Sequence, residues 1–209
     1  MARRSRASLM LVMPKSKSLI GIDEAGRGPI AGPVAVGVIR VAEQNLRKFH
    51  HYFSGAKDCK QLSPAQREAW FAKIKTATQN GLVEYSVSLC GNRMIDKRGI
   101  IPAIKKALRT SLARLKANPS YCRILLDGSL VAPKIYLNQQ TIIRGDESQL
   151  IIAVASIVAK VRRDRHMTRL ALKYPDYQFE VHKGYGTRAH YRALKLSGPS
   201  PVHRLSFLP

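Results

Sequence analysis

Apolar residues along this chain switch repeatedly between a two-residue and a three-to-four-residue spacing, which predicts strands interleaved with helices. Leu19, Ile20 and Ile22 form an apolar run over Ser18–Asp23, and Val34, Val36 and Val38 alternate with smaller residues behind Pro33. Both read as strands. Asn45–Asp58 carries His50, His51, Tyr52 and Phe53 without a clear period. Ser63-Pro64 has the form of an N-cap followed by a proline at the first helical position. It predicts a helix over Ala65–Thr76 that buries Trp70 and Ile74. Val83, Tyr85, Val87 and Leu89 alternate strictly and predict a strand antiparallel to, and beside, the second. Ile101, Ile104, Leu108, Leu112 and Leu115 then fall at helical spacing.

After a loop at Asn118-Pro119, Arg123–Leu126 is a short apolar run ending in Asp127-Gly128, and Thr141–Gly145 is a strand-like run ending at Asp146. Ser148–Leu172 predicts a long helix. Its first half is small and apolar, suited to close packing on a sheet, and its second half carries Arg162, Arg163, Arg165 and Arg169. Thr187 is placed to cap a last helix that stops at Gly198-Pro199. This order of elements favours a layered α/β or α+β architecture.

Acids at the ends of apolar runs are the feature that changes the picture. Asp23-Glu24 closes the first strand and is followed by Ala25-Gly26-Arg27-Gly28-Pro29. Side chains alternate faces along a strand, so Asp23 and Glu24 cannot both point one way while the strand stays regular. Either the strand bends, or Glu24 contributes its backbone carbonyl as well as its carboxylate. Gly26 and Gly28 permit a bend and a close-approaching ligand, and Arg27 suits a phosphate. Taken singly, Asp127-Gly128 and Asp146 read first as turn or cap acids. Together with Asp23 and Glu24 they form a set that would repel itself at neutral pH without cations. Oxygen-only donors of this kind fit Mg²⁺ or Mn²⁺.

Charge and cysteine content narrow the partners. With 36 Lys and Arg against 13 Asp and Glu, the formal charge is +23, which implies a polyanion such as nucleic acid. Cys59, Cys90 and Cys122 lack disulfide or zinc spacing and fit a reducing compartment. No H-E-x-x-H pattern, P-loop or G-x-S-x-G elbow is present. Met1–Ser18 is basic with an apolar centre of only Leu9–Met13, too short for a signal sequence or a membrane span. Residues 1–17 are therefore expected to be a basic flexible tail, with Met13 a candidate natural start. A second concentrated signal is His182-Lys183-Gly184-Tyr185-Gly186-Thr187. Its glycines expose Tyr185 beside Lys183, as stacking on a base or sugar requires and as an ordinary aromatic turn would also do.

Gly21–Pro29 with Ala31-Gly32-Pro33-Val34, Leu126-Asp127-Gly128, Arg144-Gly145-Asp146, Ala155–Asp164, His182–Thr187 and the terminal Gly198–Phe207 resemble ribonuclease HII, the type 2 ribonuclease H family, in its bacterial form. The Gly26-Arg27-Gly28 turn is unlike that of the type 3 enzymes, which also carry an extra N-terminal domain. The resemblance implies a ribonuclease H-like mixed sheet flanked by helices with a C-terminal helical part, residues 18–209 forming the catalytic domain. It implies a cytoplasmic endonuclease, monomeric and independent of membranes, that cuts the RNA strand of RNA–DNA hybrids. It further implies incision 5′ of ribonucleotides embedded in DNA, as in ribonucleotide excision repair, leaving 5′-phosphate ends by two-metal catalysis.

Carried over, Asp23, Glu24, Asp127 and Asp146 match the catalytic, metal-holding acids. Gly26, Arg27 and Gly28 match the turn that senses the 2′-hydroxyl, and Tyr185 the tyrosine that packs on the following deoxyribose. Lys60 and Lys183 are expected to touch substrate. Cys59 stands where the family usually has serine, and Lys97-Arg98-Gly99 departs from a segment that usually carries asparagine. Two other classes fit parts of the pattern: a non-catalytic RNA- or hybrid-binding protein, which the +23 charge alone would explain, and another metal nuclease such as a junction resolvase.

Overall fold

The computed structural model describes residues 17–209. The expected tail, with Met13, lies outside the described residues except for Lys17. Five strands form one mixed sheet: β1 (Ser18–Ala25), β2 (Val34–Ala42), β3 (Glu84–Cys90), β4 (Cys122–Asp127) and β5 (Gln139–Ile142). Their order is β3-β2-β1-β4-β5. β1, β2 and β3 pair antiparallel, whereas β4 runs parallel to β1 and β5 parallel to β4. The helices are α1 (Leu46–Tyr52), α2 (Pro64–Gln79), α3 (Asn92–Arg98), α4 (Ile100–Arg114), α5 (Gly145–Ser148), α6 (Leu150–Lys173), α7 (Phe179–His182) and α8 (Arg188–Ser197). This is the α/β mixed sheet with flanking helices and a C-terminal helical part that the resemblance implied.

Both faces of the sheet are covered. Ile20, Ile22, Val36, Val38, Ile124 and Leu126 point to α4, meeting Ile104, Leu108 and Leu112. Ile39, Val87 and Leu125 point to the other face, against α6 and α2. A third cluster, around Met167, Tyr177 and Phe179, holds the C-terminal helices to the end of α6. The capping box at Ser63 and Gln66 is formed, and Thr187 Oγ1 accepts from His190 N at 3.2 Å to start α8.

Several local expectations need correction. Trp70 is only half-buried, with Lys73 Nζ 4.6 Å from its ring, because α2 turns Phe71, Ile74 and Ala77 inward instead. Leu89 and Ile101 are exposed, while Ser86 and Ser88 of β3 are buried because they lie beside Val38 and Val36 on the face covered by α4. The unpatterned Asn45–Asp58 stretch contributes α1 and two fully buried rings, Phe49 and Phe53. The run before Asp146 ends at Ile142; Ile143 is exposed, and Arg144 adopts a left-handed conformation at φ 53°. Asp146 therefore sits in α5, not at a strand end. Arg163 is not on the solvated basic face of α6 but completely buried.

How closely α6 lies on the sheet is set by two glycines. A Cβ on Gly21 would stand 2.5 Å from Ile151 O, and one on Gly37 would stand 2.5 Å from Ala155 O and 2.8 Å from Ala159 N. Backbone cannot yield as a flexible side chain can, so α6 would have to lift from β1 and β2. Gly37→Ala should cost roughly 1–3 kcal/mol by overpacking, read as a lower urea midpoint at unchanged m-value.

Candidate active site

Parallel pairing of β1 with β4 is what assembles the acids. The register matches Ile22 with Leu126, so Asp23 and Asp127 occupy the next position on adjacent strands and share the face covered by α6. α5 then brings Asp146 against them: Asp127 Oδ1 accepts from Gly145 N at 2.8 Å and from Asp146 N at 3.3 Å. Asp23, Asp127 and Asp146 each offer a carboxylate oxygen within 4.8 Å of the others. Asp23 and Asp146 are buried and Asp127 is half-buried.

Glu24 is not brought into this group. β1 stays regular and paired through Ala25, so Glu24 faces the opposite side from Asp23. Its Oε1 lies 3.5 Å from Arg27 Nη1, while its buried Oε2 has no hydrogen-bond partner among the described residues. Of the two alternatives for Asp23-Glu24, the bend is not formed, and the Glu24 side chain stays outside the three-carboxylate group.

Asp23, Asp127 and Glu24 each carry an electrostatic cost. Burial, then the charges of Glu24 and Asp127, holds the Asp23 carboxyl well above the usual carboxylate range, despite the bond Asp23 Oδ1 accepts from Glu24 N at 2.7 Å. Burial first, then Asp146, raises Asp127; two backbone N–H donors oppose the shift. Burial and the Asp127 charge raise Glu24, against the pull of Arg27. Partial relief comes from Lys60, whose ammonium donates to Asp146 Oδ2 at 3.0 Å and stands 3.8 Å from Asp58 Oδ2. Burial acts to lower Lys60, but this bond and the charges of Asp58, Asp146 and Asp23 outweigh it and raise its pKa. A side-chain cation already drawn to an all-oxygen cluster of three carboxylates is the environment a hard divalent ion suits.

The glycine turn is built from the inside. Gly26 has φ 88°, and Arg163 fills the space where its Cβ would be. Arg204 Nη2 donates to Gly26 O at 2.7 Å, Nη1 to Arg27 O at 2.9 Å and Nε to Gly32 O at 2.9 Å. Arg163 Nε donates to Pro33 O and Nη1 to Lys183 O, each at 2.9 Å, and Nη2 to Ala31 O at 3.3 Å. With its carbonyls drawn inward, the turn leaves the N–H groups of Arg27 and Gly28 without an acceptor among the described residues. A Cβ on Gly28 would meet nothing within 4 Å, so this side of the turn is open. Arg27 is exposed and also reaches Ser129 Oγ at 3.4 Å.

Tyr185 stands on the same side of the molecule, 44% exposed, with Lys160 Nζ 5.7 Å and the Arg163 guanidinium 5.9 Å from its ring centre. It borders a groove lined by Arg67, Lys160, Arg162, Arg165, Arg169 and Lys183 among others. Lys183 is less free than expected: its ammonium is tied to Glu180 O at 2.6 Å and Thr168 Oγ1 at 3.0 Å.

The sequence reading missed Asp58, Arg163 and Arg204 as parts of this architecture. Two arginines do not stand out among 36 basic residues by composition. One signal was available: Arg163 falls on the apolar stripe Ile152, Ser156, Ala159, Arg163, Met167, at the spacing of one helix face. A charged residue on a buried stripe marks a built interaction.

The ionised form of Asp23 is disfavoured by the fold, so its cost is absent below the unfolded carboxylate pKa and fully present above the raised folded value. Asp23→Asn should therefore raise the melting midpoint of metal-free protein at pH 7–8 by a few degrees and leave it nearly unchanged near pH 3. About 1 kcal/mol corresponds to roughly 2–4 °C for a chain of this size. Scanning calorimetry at the two pH values checks the sign.

The chain matches the family model described as Ribonuclease HII over residues 20–208. It is 42% identical over 189 residues to a Ribonuclease HII of Endomicrobium trichonymphae, covering 90% of this chain and 84% of that protein. It is 39% identical over 190 residues to that of Caldicellulosiruptor bescii, covering 91% and 86%. Among solved structures, the ribonuclease H2 of Pyrococcus horikoshii superimposes with a TM-score of 0.67 at 27% identity, covering 90% of this chain and 93% of that one. By sequence and by fold, this chain belongs to the ribonuclease HII family.

Proposed function

We propose that this protein is a metal-dependent endonuclease that hydrolyses the RNA strand of RNA–DNA hybrids and incises 5′ of ribonucleotides embedded in duplex DNA. The observation that carries the reading is the approach of Asp23, Asp127 and Asp146 to within 4.8 Å, from two parallel strands and a helix, beside an open glycine turn. Asp23, Asp127 and Asp146 would hold Mg²⁺ or Mn²⁺, with Glu24 completing the set through its backbone or an intervening water. When bound, two such ions supply an activated water and neutralise charge on the phosphate and the leaving oxygen.

The chain's own residues supply orientation and discrimination. Lys60 stands beside Asp146, where it meets the substrate phosphate and offsets the carboxylate charge. The open N–H groups of Arg27 and Gly28 present donors to a 2′-hydroxyl, the atom that tells RNA from DNA, and Arg27 reaches a phosphate. The Tyr185 ring packs on the next sugar, and the cationic groove with Lys183 at its edge receives the backbone. The products are a 3′-hydroxyl and a 5′-phosphate, as in a repair pathway that excises ribonucleotides. The protein works as a monomer in the cytoplasm. Among the described residues, no helix is long and apolar enough to cross a membrane, and Cys59, Cys90 and Cys122 are free thiols.

Asp127→Asn should lower the rate on a labelled duplex with one embedded ribonucleotide at least 100-fold in Mg²⁺, and chelator should abolish wild-type product. Normal turnover by the variant, or salt-sensitive binding without product by the wild type, would overturn the reading. Tyr185→Ala should reduce cleavage of the same duplex by roughly 5–100-fold, since stacking on an aromatic ring is worth about 1–3 kcal/mol. Its melting midpoint should stay within about 2 °C, because Tyr185 is partly exposed and lies outside the buried clusters. Equal turnover of the two proteins would leave the ring without a role in cleavage.

A further inference from the structure

Two consecutive residues near the C-terminus reach opposite sides of the site. Arg204 clamps the carbonyls of the glycine turn. His203 points instead into a buried nest of rings formed by Tyr177, Phe179, His182 and His190. His190 and His203 are essentially inaccessible to water.

The hydrogen bonds in this nest have a definite direction. A backbone N–H can only donate, and Ser200 N lies 2.9 Å from His203 Nδ1, so that nitrogen is an acceptor and the proton is on Nε2. His203 Nε2–H therefore donates to His190 Nε2, at 2.9 Å. His190 must then carry its proton on Nδ1, which donates to Tyr185 O at 2.9 Å. His182 is fixed in the same way: Gly184 N donates to its Nδ1 at 3.1 Å, so its Nε2–H donates to Tyr177 O at 2.6 Å. The run from Ser200 to Tyr185 needs both rings neutral. Burial keeps them so, pushing His190 down to about 4 and lowering His203 as well.

We propose that His203, by donating to His190 Nε2, holds His190 in the tautomer that carries its proton on Nδ1, and that this positioning relay fixes the backbone at Tyr185 relative to the Gly26–Gly28 turn, and so sets how well an embedded ribonucleotide is distinguished from a continuous hybrid. The relay and the turn share one anchor, since His203 and Arg204 are adjacent and His203 is bridged to Ala31. Asn92 Nδ2 holds that anchor in turn, donating to His203 O at 2.8 Å and Pro201 O at 3.0 Å. The inference rests on Tyr185 being a substrate contact.

Two substitutions at one position separate positioning from packing. The amide of asparagine reaches the place of Nδ1, whereas that of glutamine reaches the place of Nε2. His190→Gln should lose the donor to Tyr185 O and lower the ratio of embedded-ribonucleotide to continuous-hybrid cleavage at least fivefold. His190→Asn keeps that donor and should rescue the ratio to within about twofold of wild type, although it leaves the His203 donor unpaired; both variants should lower the melting midpoint. Equal ratios for the two variants would overturn the relay.

Nitrogen-15 NMR of the unsubstituted protein at pH 7 supplies a readout independent of folding of the variants. It should show His190 protonated at Nδ1, and His203 and His182 at Nε2; the reverse at His190 or His203 would sink the proposal. In a Tyr185→Ala background, His190→Gln should lower the ratio no further. Tyr185→Ala with the wild-type ratio would defeat the Tyr185 reading and this use of the relay with it. A lowered ratio in Tyr185→Ala, with both His190 variants at wild-type level, would defeat the relay alone.

Discussion

Like charges in a small, poorly solvated volume repel, and the arrangement of this protein follows from keeping them together. Asp23 and Asp127 lie side by side because β1 and β4 are parallel and matched in register, and neither strand can slip without carrying its apolar residues to the wrong face. Asp146 is held against them by backbone donors from α5. The strain shows in the raised pKa values of Asp23 and Asp127, and in the pull exerted on Lys60. A cluster destabilised in this way is stabilised by any cation that enters it.

The rest of the molecule is rigid in the places that keep the cluster intact. Gly21 and Gly37 let α6 lie directly on the sheet, closing the face from which Asp23 points. α6 also delivers Arg163 to the underside of the glycine turn, where Arg204 joins it from the far end of the chain. Burial lowers the pKa of both guanidiniums, and Arg163 further lowers that of Arg204, yet both stay charged because a guanidinium holds its proton so strongly. Their side chains bond to backbone carbonyls, with no carboxylate within salt-bridge distance among the described residues. Six carbonyl oxygens, those of Gly26, Arg27, Ala31, Gly32, Pro33 and Lys183, are thereby drawn inward. The turn is consequently shaped by its own carbonyls being occupied, which leaves its N–H groups facing outward.

The same logic extends to the C-terminal part. His182, His190 and His203 sit in an aromatic nest that would strongly disfavour protonation, and each ring has both nitrogens engaged. Their order is what gives the Tyr185 loop a definite position, although its ring is exposed. Exposure of the ring and rigidity of the backbone under it are separate properties, and here they have separate causes.

Much of this was legible without coordinates. Local patterns determined the strands at Ser18, Val34 and Val83, the capped starts of α2 and α8, the small-residue face of α6 and the positions of the acids, because each depends on neighbours only a few residues away. The residue blocks around Asp23, Asp127, Asp146 and Tyr185 carried the family resemblance. What the linear pattern could not decide was which strands would be neighbours and on which face each acid would lie. The regular continuation of β1 to Ala25 separates Glu24 from Asp23, and the left-handed step at Arg144 moves Asp146 from a strand end into a helix. Likewise, burial of Arg163, exposure of Leu89 and the meeting of Arg204 with Gly26 depend on contacts between elements distant in sequence. The sequence by itself determined what each segment would be; only the tertiary structure decided which charges would share a volume, because repulsion, burial and long-range hydrogen bonding exist only once the segments are packed.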